Sequence, residues 1–191
     1  VRGFWFTDAQ FIPTKNHIQD AKLLLQAIKD QGWTDLKWAA YIRADNIDRE
    51  LAQLMVETGM SYFEIGITSG SQELVRKMQL AYNLKTVLEN CKMLVEAGFR
   101  NHVSVNYSFN VFDETPNTIK QTVAYHRELE NIFGKGLVDP AIFFIGLQPH
   151  TLLEKYALEN NILKPSYNPM SMMPWTARKL LWNPGPLGKK L

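Results

Sequence analysis

A chain of 191 residues, 46% hydrophobic and 21% charged, is long enough for one domain with a substantial core. Its formal net charge of +2 argues against electrostatic binding to nucleic acid or to an anionic membrane, and the Lys189-Lys190 pair reads as a solvated end. No apolar stretch reaches the ~18 residues that a membrane-spanning helix needs, and no signal peptide is visible.

The chain opens at Val1-Arg2-Gly3 and enters a strand at once, Gly3 to Thr7, as expected of a piece of a longer protein. A helix is predicted over about Asn16 to Lys29, where Ile18, Ala21, Leu24, Leu25 and Ile28 recur at helical spacing before Gly32 closes the turn. The next strand, Lys37 to Ile42, ends at Arg43, and its helix buries Leu51, Leu54 and Met55 before stopping at Gly59. The third strand runs through Tyr62-Phe63-Glu64-Ile65-Gly66-Ile67 and breaks into Thr68-Ser69-Gly70-Ser71, small residues that let a backbone approach something polar. A short helix from Gln72 and a longer one from Leu84 to Ala97 follow. The only cysteine, Cys91, sits on that longer helix among Leu88, Met93, Leu94 and Val95. It therefore reads as a buried, inert thiol, excludes an internal disulfide and fits a reducing, cytoplasmic compartment.

The fourth strand is His102 to Phe109. Thr115-Pro116 then caps and starts a helix reaching about Phe133, since threonine accepts from the free amides and proline suits the first helical position. The last pair is a strand over Ala141 to Ile145 and a helix over about Leu152 to Asn160. Strands separated by whole helices must pair in parallel through crossovers. With large residues on both strand faces and no reversal point, the fold class is α/β: a parallel-stranded partial (βα) barrel of the TIM type with about five βα units. It spans residues 1–164 and is buried on both sheet faces. Residues 165–191, dense in proline, methionine and tryptophan, are expected to form a C-terminal strap packed on the barrel or on a further domain.

Several pieces, in this order, resemble the radical S-adenosylmethionine superfamily, and within it the cobalamin-binding-domain branch. Phe6-Thr7-Asp8-Ala9-Gln10-Phe11 resembles that branch's F-x-D-D-x-F turn, and Trp38 to Asp45 its next strand, which ends in arginine. Met60 through Ser71 resembles its A-G-x-x-x-x-x-I-G-I-E-S-G-S element, and Leu74 to Tyr82 the stretch after it. Asn110-Val111-Phe112-Asp113-Glu114-Thr115 occupies the place of G-L-P-G-E-T, and Gln148-Pro149-His150-Thr151 that of P-G-T. The anaerobic magnesium-protoporphyrin IX monomethyl ester cyclase group is similar. The resemblance departs at Thr68, where the family has glutamate, at Ala9, and at Asn110, Phe112, Asp113 and His150, where it has glycine or proline.

The resemblance implies a six-stranded partial barrel and a four-iron four-sulfur cluster held by a C-x-x-x-C-x-x-C loop. It also implies reductive cleavage of S-adenosylmethionine to a 5′-deoxyadenosyl radical acting on a small organic substrate. This chain lacks that loop, so the ligands are expected upstream, in another part of the same protein, and the fragment alone is expected to be inactive. Cobalamin would belong to a separate domain. The residues expected to bind cofactor, all at C-terminal strand ends, are Asp8, Arg43, Thr68, Ser69, Asn106, Ser108 and Gln148. Asp8 suits an amino group, Arg43 a carboxylate, and the others hydroxyls and ring edges. Structural roles stand beside these: Asp8 closing a turn, Arg43 pairing with Asp45 or Glu64, Thr68 and Ser69 capping the Gln72 helix. Two other functions remain open on the residues, a non-catalytic barrel serving as a binding module and a metal-dependent hydrolase or isomerase using Asp8, Glu64 and His150.

Overall fold

In a computed structural model of the chain, residues 2–109, 111, 113–145, 148–164 and 166 are described. The proposed strap, Ser166 apart, lies outside them, as do Asn110 and Phe112. The strands are β1 (Gly3–Phe6), β2 (Lys37–Tyr41), β3 (Met60–Thr68), β4 (Val103–Phe109) and β5 (Val138–Phe144). The helices are α1 (Ile18–Asp30), α2 (Arg49–Glu57), α3 (Gln72–Lys77), α4 (Leu84–Glu96), α5 (Pro116–Phe133) and α6 (Leu152–Glu159). All four strand pairings are parallel and follow chain order, β1-β2-β3-β4-β5. A sheet that adds each new strand on the same side, with a helix between, is a partial (βα) barrel rather than a doubly wound sheet.

The core lies between the sheet and the helices. Ala21, Leu25 and Ile28 of α1, and Leu51, Leu54 and Met55 of α2, are buried as their spacing requires, while Leu24 sits at the edge of the stripe and is exposed. On the sheet, Trp38, Phe63, Ile65, Ile67, Val103 and Val105 face these helices. Phe63 meets Phe99 edge-on at 5.2 Å between centroids, and the buried Trp38 indole donates to Thr58 Oγ1 at 3.1 Å. Cys91 is fully buried in this core, and burial pushes its thiol up to about 12, as an inert thiol requires. Gly59, at φ +90, turns the chain from α2 into β3 where a Cβ would lie 2.3 Å from the Leu36 carbonyl oxygen.

The opposite, concave face differs from expectation. Side chains alternate along a strand, so Trp5, Tyr41, Tyr62, Glu64, Gly66, Asn106 and Ser108 point away from the helices. Five strands do not close around this face, and Trp5, Tyr41 and Phe143 stay 37%, 39% and 55% exposed. β5 also starts three residues earlier than the sequence suggests, taking in Asp139 and Pro140. Proline is tolerated there because, among the described residues, β5 is the sheet's edge and pairs only with β4.

Candidate functional site at the C-terminal mouth

The end of β3 organises the mouth. Its register slips between Gly66 and Thr68, and Thr68 takes φ +57, a left-handed conformation that a β-branched residue adopts only when its surroundings impose it. What imposes it is the next turn. Gly70 N donates to Thr122 Oγ1 at 3.0 Å, Ser69 Oγ lies 3.4 Å from the same hydroxyl, and Ser71 N donates to Ser69 Oγ at 3.1 Å. Ser69 is 1% exposed, so its side chain clasps the turn to α5 and does not face the mouth. On the other side the Tyr82 hydroxyl donates to the Ile67 carbonyl. Burial pushes that phenol up to about 12, against an opposing hydrogen bond with Thr68.

Two cavities lie near the end of β3. The larger, about 500 Å³, is lined by Thr68, Lys77, Gln79, Ser108, Ile145 and Tyr156. The smaller, about 30 Å³, lies among Gln10, Arg43, Asp45, Gly66 and Tyr82. Arg43 forks onto Asp45, with Nε at 3.0 Å from Oδ1 and Nη2 at 2.7 Å from Oδ2, and Nη2 also donates to Ala81 O at 2.7 Å. Of its two candidate partners it thus takes Asp45, while Glu64 accepts from Tyr62 OH and Asn106 Nδ2, each at 3.2 Å. Asp8 and Gln148 follow the two edge strands. Both are exposed and line neither cavity; Asp8 makes no hydrogen bond or ion pair among the described residues, and the Gln148 carbonyl accepts from Thr151, which caps α6. The structure therefore joins Thr68 and Ser108 around the larger cavity, places Arg43 on the smaller one, and leaves Asp8 and Gln148 at the flanks.

Sequence reasoning passed over Gly66, Tyr62 and Tyr82. The first two were recoverable, because Tyr62, Glu64, Gly66 and Thr68 alternate with buried Phe63, Ile65 and Ile67 along β3. Tyr82 lies in a loop and carried no such signal.

The donor set discriminates among cofactors. A Cβ built at Gly66 meets nothing within 4 Å, and Asn106 Oδ1 is buried without a partner, so the face has both room and a spare acceptor for a polar ligand. Hydroxyls, amides and a cavity of this size suit a nucleoside-bearing molecule. An iron–sulfur cluster does not fit, because thiolates must hold it and Cys91 is sealed in the core. Among the described residues no three His, Cys, Asp or Glu side chains converge as a metal site needs, so nothing gathers Asp8, Glu64 and His150 on one metal. No helix among them is long and apolar enough to cross a membrane.

Solved structures with the same architecture include the radical S-adenosylmethionine methyltransferase TsrM from Kitasatospora setae, with cobalamin and a 4Fe-4S cluster bound. It aligns at a TM-score of 0.64 and 20% identity over 84% of this chain and 31% of that one. Coproporphyrinogen III oxidase (HemN) from Escherichia coli aligns at 0.57 and 14% over 94% of this chain and 38% of that one. The cobalamin-dependent radical enzyme OxsB aligns at 0.54 and 14% over 84% and 23%. At such identities the likeness is one of fold, and the chain spans about a third or less of the TsrM and OxsB structures. No curated protein matches the chain. The family model described as "Radical SAM superfamily" matches residues 13–125, more than half the chain and every element from α1 into α5. The chain belongs to the radical S-adenosylmethionine superfamily.

Proposed function

We propose that this chain is the core barrel of an enzyme that binds S-adenosylmethionine at the mouth and acts on a small organic substrate. The observation that carries this reading is the cavity of about 500 Å³ at the C-terminal strand ends, where Thr68 and Ser108 meet on a family-typical parallel sheet. Bound S-adenosylmethionine, with a four-iron four-sulfur cluster held by thiolates from another part of the protein, would supply reductive cleavage to a 5′-deoxyadenosyl radical. Thr68 and Ser108 offer hydroxyls to the ribose, and Asn106 offers Oδ1 to a ring-edge or hydroxyl donor. Arg43 keeps Nη1, whose one hydrogen bond among the described residues is a 3.5 Å contact to Pro13 O, for a carboxylate. Exposed Asp8 receives an amino group. Ser69 acts by holding the turn that presents Thr68. The parent protein is an oxidoreductase, cyclase or methyltransferase working in the cytoplasm, with cobalamin carried by a separate domain. A tetrapyrrole such as magnesium-protoporphyrin IX monomethyl ester is the substrate that the resemblance to the cyclase group suggests, and this fragment alone is inactive.

The test is to express the longer parent, reconstitute it with iron and sulfide under anaerobic conditions, and measure 5′-deoxyadenosine after reduction. Release of 5′-deoxyadenosine supports the reading, and its loss in Ser108→Val assigns the mouth. Absence of cluster absorbance and of cleavage overturns it in favour of a non-catalytic binding barrel, a reading that Thr68 in place of glutamate favours.

A further inference from the structure

Deeper in the concave face lies a corner that the mouth does not use. Trp5, Tyr41 and Tyr62 meet there, with Trp5 at 5.3 Å and 66° from Tyr41 and at 5.6 Å and 48° from Tyr62. The three rings cluster without stacking, and Trp5 and Tyr41 keep 37% and 39% of their surface exposed. Tyr41 is paired across the sheet with Glu64, a half-buried carboxylate. Glu64 is held by two neutral donors, the Tyr62 hydroxyl and the Asn106 amide, and no cation pairs with it among the described residues. The nearby charges are already matched or set apart. Asp139 faces His102 at 3.0 Å, Arg43 is forked onto Asp45, and Lys37 starts β2 below the Trp5 row. One residue pair further along, Gly66 leaves its side-chain position empty beside Asn106.

We propose that this corner is a substrate subsite for a cationic nitrogen, a protonated amine or quaternary ammonium carried by a small organic molecule. A cation seated here gains the ring faces of Trp5, Tyr41 and Tyr62 together with the uncompensated charge of Glu64. A neutral group leaves that charge unmatched, and an anion is repelled. Glu64 stands four residues before Thr68, about 13 Å along the strand at the usual rise, so a molecule anchored at the corner reaches toward the mouth. The subsite rests on the proposed function in that it serves the small organic substrate of the same enzyme, and it points to one carrying a cationic nitrogen rather than to a tetrapyrrole, whose carboxylate the corner repels; binding at the corner requires neither cofactor nor cluster.

The experiment titrates the full 191-residue chain with benzyltrimethylammonium, benzyl alcohol and phenylacetate, read by saturation-transfer NMR. The cation is expected to bind at least tenfold more tightly than the alcohol, and phenylacetate to bind weakest. Glu64→Gln keeps the side-chain shape and is expected to bring the cation to within about twofold of the alcohol. Gly66→Val fills the open space and is expected to abolish binding of all three while the thermal melt is retained. Should Glu64→Gln unfold, Glu64→Asp serves instead, with binding weakened but the order of the three probes kept. Equal binding of the three probes, or a cation preference that survives in Glu64→Gln, overturns the subsite. Either result leaves 5′-deoxyadenosine release by the parent untouched, so the two readings fail separately.

Discussion

Two glycines four residues apart do opposite work. At Gly70 a Cβ would fall 2.5 Å from Thr122 Cα and 2.7 Å from Tyr125 Cβ, so the turn after β3 touches the α5 backbone and has no room for a methyl group. At Gly66 the same atom would enter open space. Gly70→Ala is therefore expected to cost about 1–3 kcal/mol through overpacking. Gly66→Ala is expected to stay within about 0.5 kcal/mol of the parent chain. Urea denaturation of both measures this, and equal losses would refute it. The Thr-Ser-Gly-Ser turn was legible in the sequence as a place of close backbone approach. What approaches was not, because the contact is with α5, some fifty residues away. Nor was it legible that Thr68 takes the left-handed conformation, since a glycine two residues on is the natural candidate and a β-branched residue signals extended chain.

At the scale of elements, caps were the most readable feature. Thr115 accepts from Thr118 N at 3.2 Å, and Thr118 Oγ1 accepts from Thr115 N at 2.9 Å, the reciprocal arrangement that starts α5 as Thr115-Pro116 suggests. The start of β5 was less readable, because Asp139 and Pro140 both argue against a strand and only an edge position accommodates them. Asp48 offers a test of capping with a charge attached. It caps α2 by accepting from Leu51 N at 2.9 Å and pairs with Lys22 at 2.9 Å. Burial alone would raise its carboxyl, but the Leu51 amide and the Lys22 ammonium outweigh it and hold the group below its ordinary value. A depressed carboxyl stabilises the fold above the ordinary aspartate value of about 3.9, and that contribution is lost as pH falls through the lower folded value. Asp48→Ala is thus expected to lose about 1 kcal/mol at neutral pH, a figure set by the cap since the ion pair is screened. The gap to the parent chain should narrow on the acid side. A gap that holds constant through the carboxylate range would contradict this.

For the whole molecule, the consequence of an unclosed barrel is exposed apolar surface at its β5 side. The sequence identified parallel units in order, but read the large residues on both strand faces as burial on both faces. Among the described residues the five strands do not close around the concave face, so that inference failed at Trp5, Tyr41 and Phe143. β5 shows it most clearly. Ile142, Phe143 and Phe144 are 69%, 55% and 45% exposed on consecutive positions of an edge strand, and Ile142 also lines a groove of about 320 Å³ between β5 and α5. Edge strands normally carry charges or bends that discourage pairing, and here Asp139 and Pro140 blunt only the first half. Among the described residues, the second half therefore presents backbone groups without a strand partner on its outer side together with apolar side chains, the combination that recruits another strand. The isolated chain is expected to self-associate as its concentration rises, with the average mass in analytical ultracentrifugation climbing above that of the monomer. Ile142→Lys places a charge on that edge and is expected to hold the mass at the monomer value, with stability changed by no more than about 0.5 kcal/mol because the side chain is already largely in water. Superimposable mass curves for the two chains would show that the edge is not where association occurs.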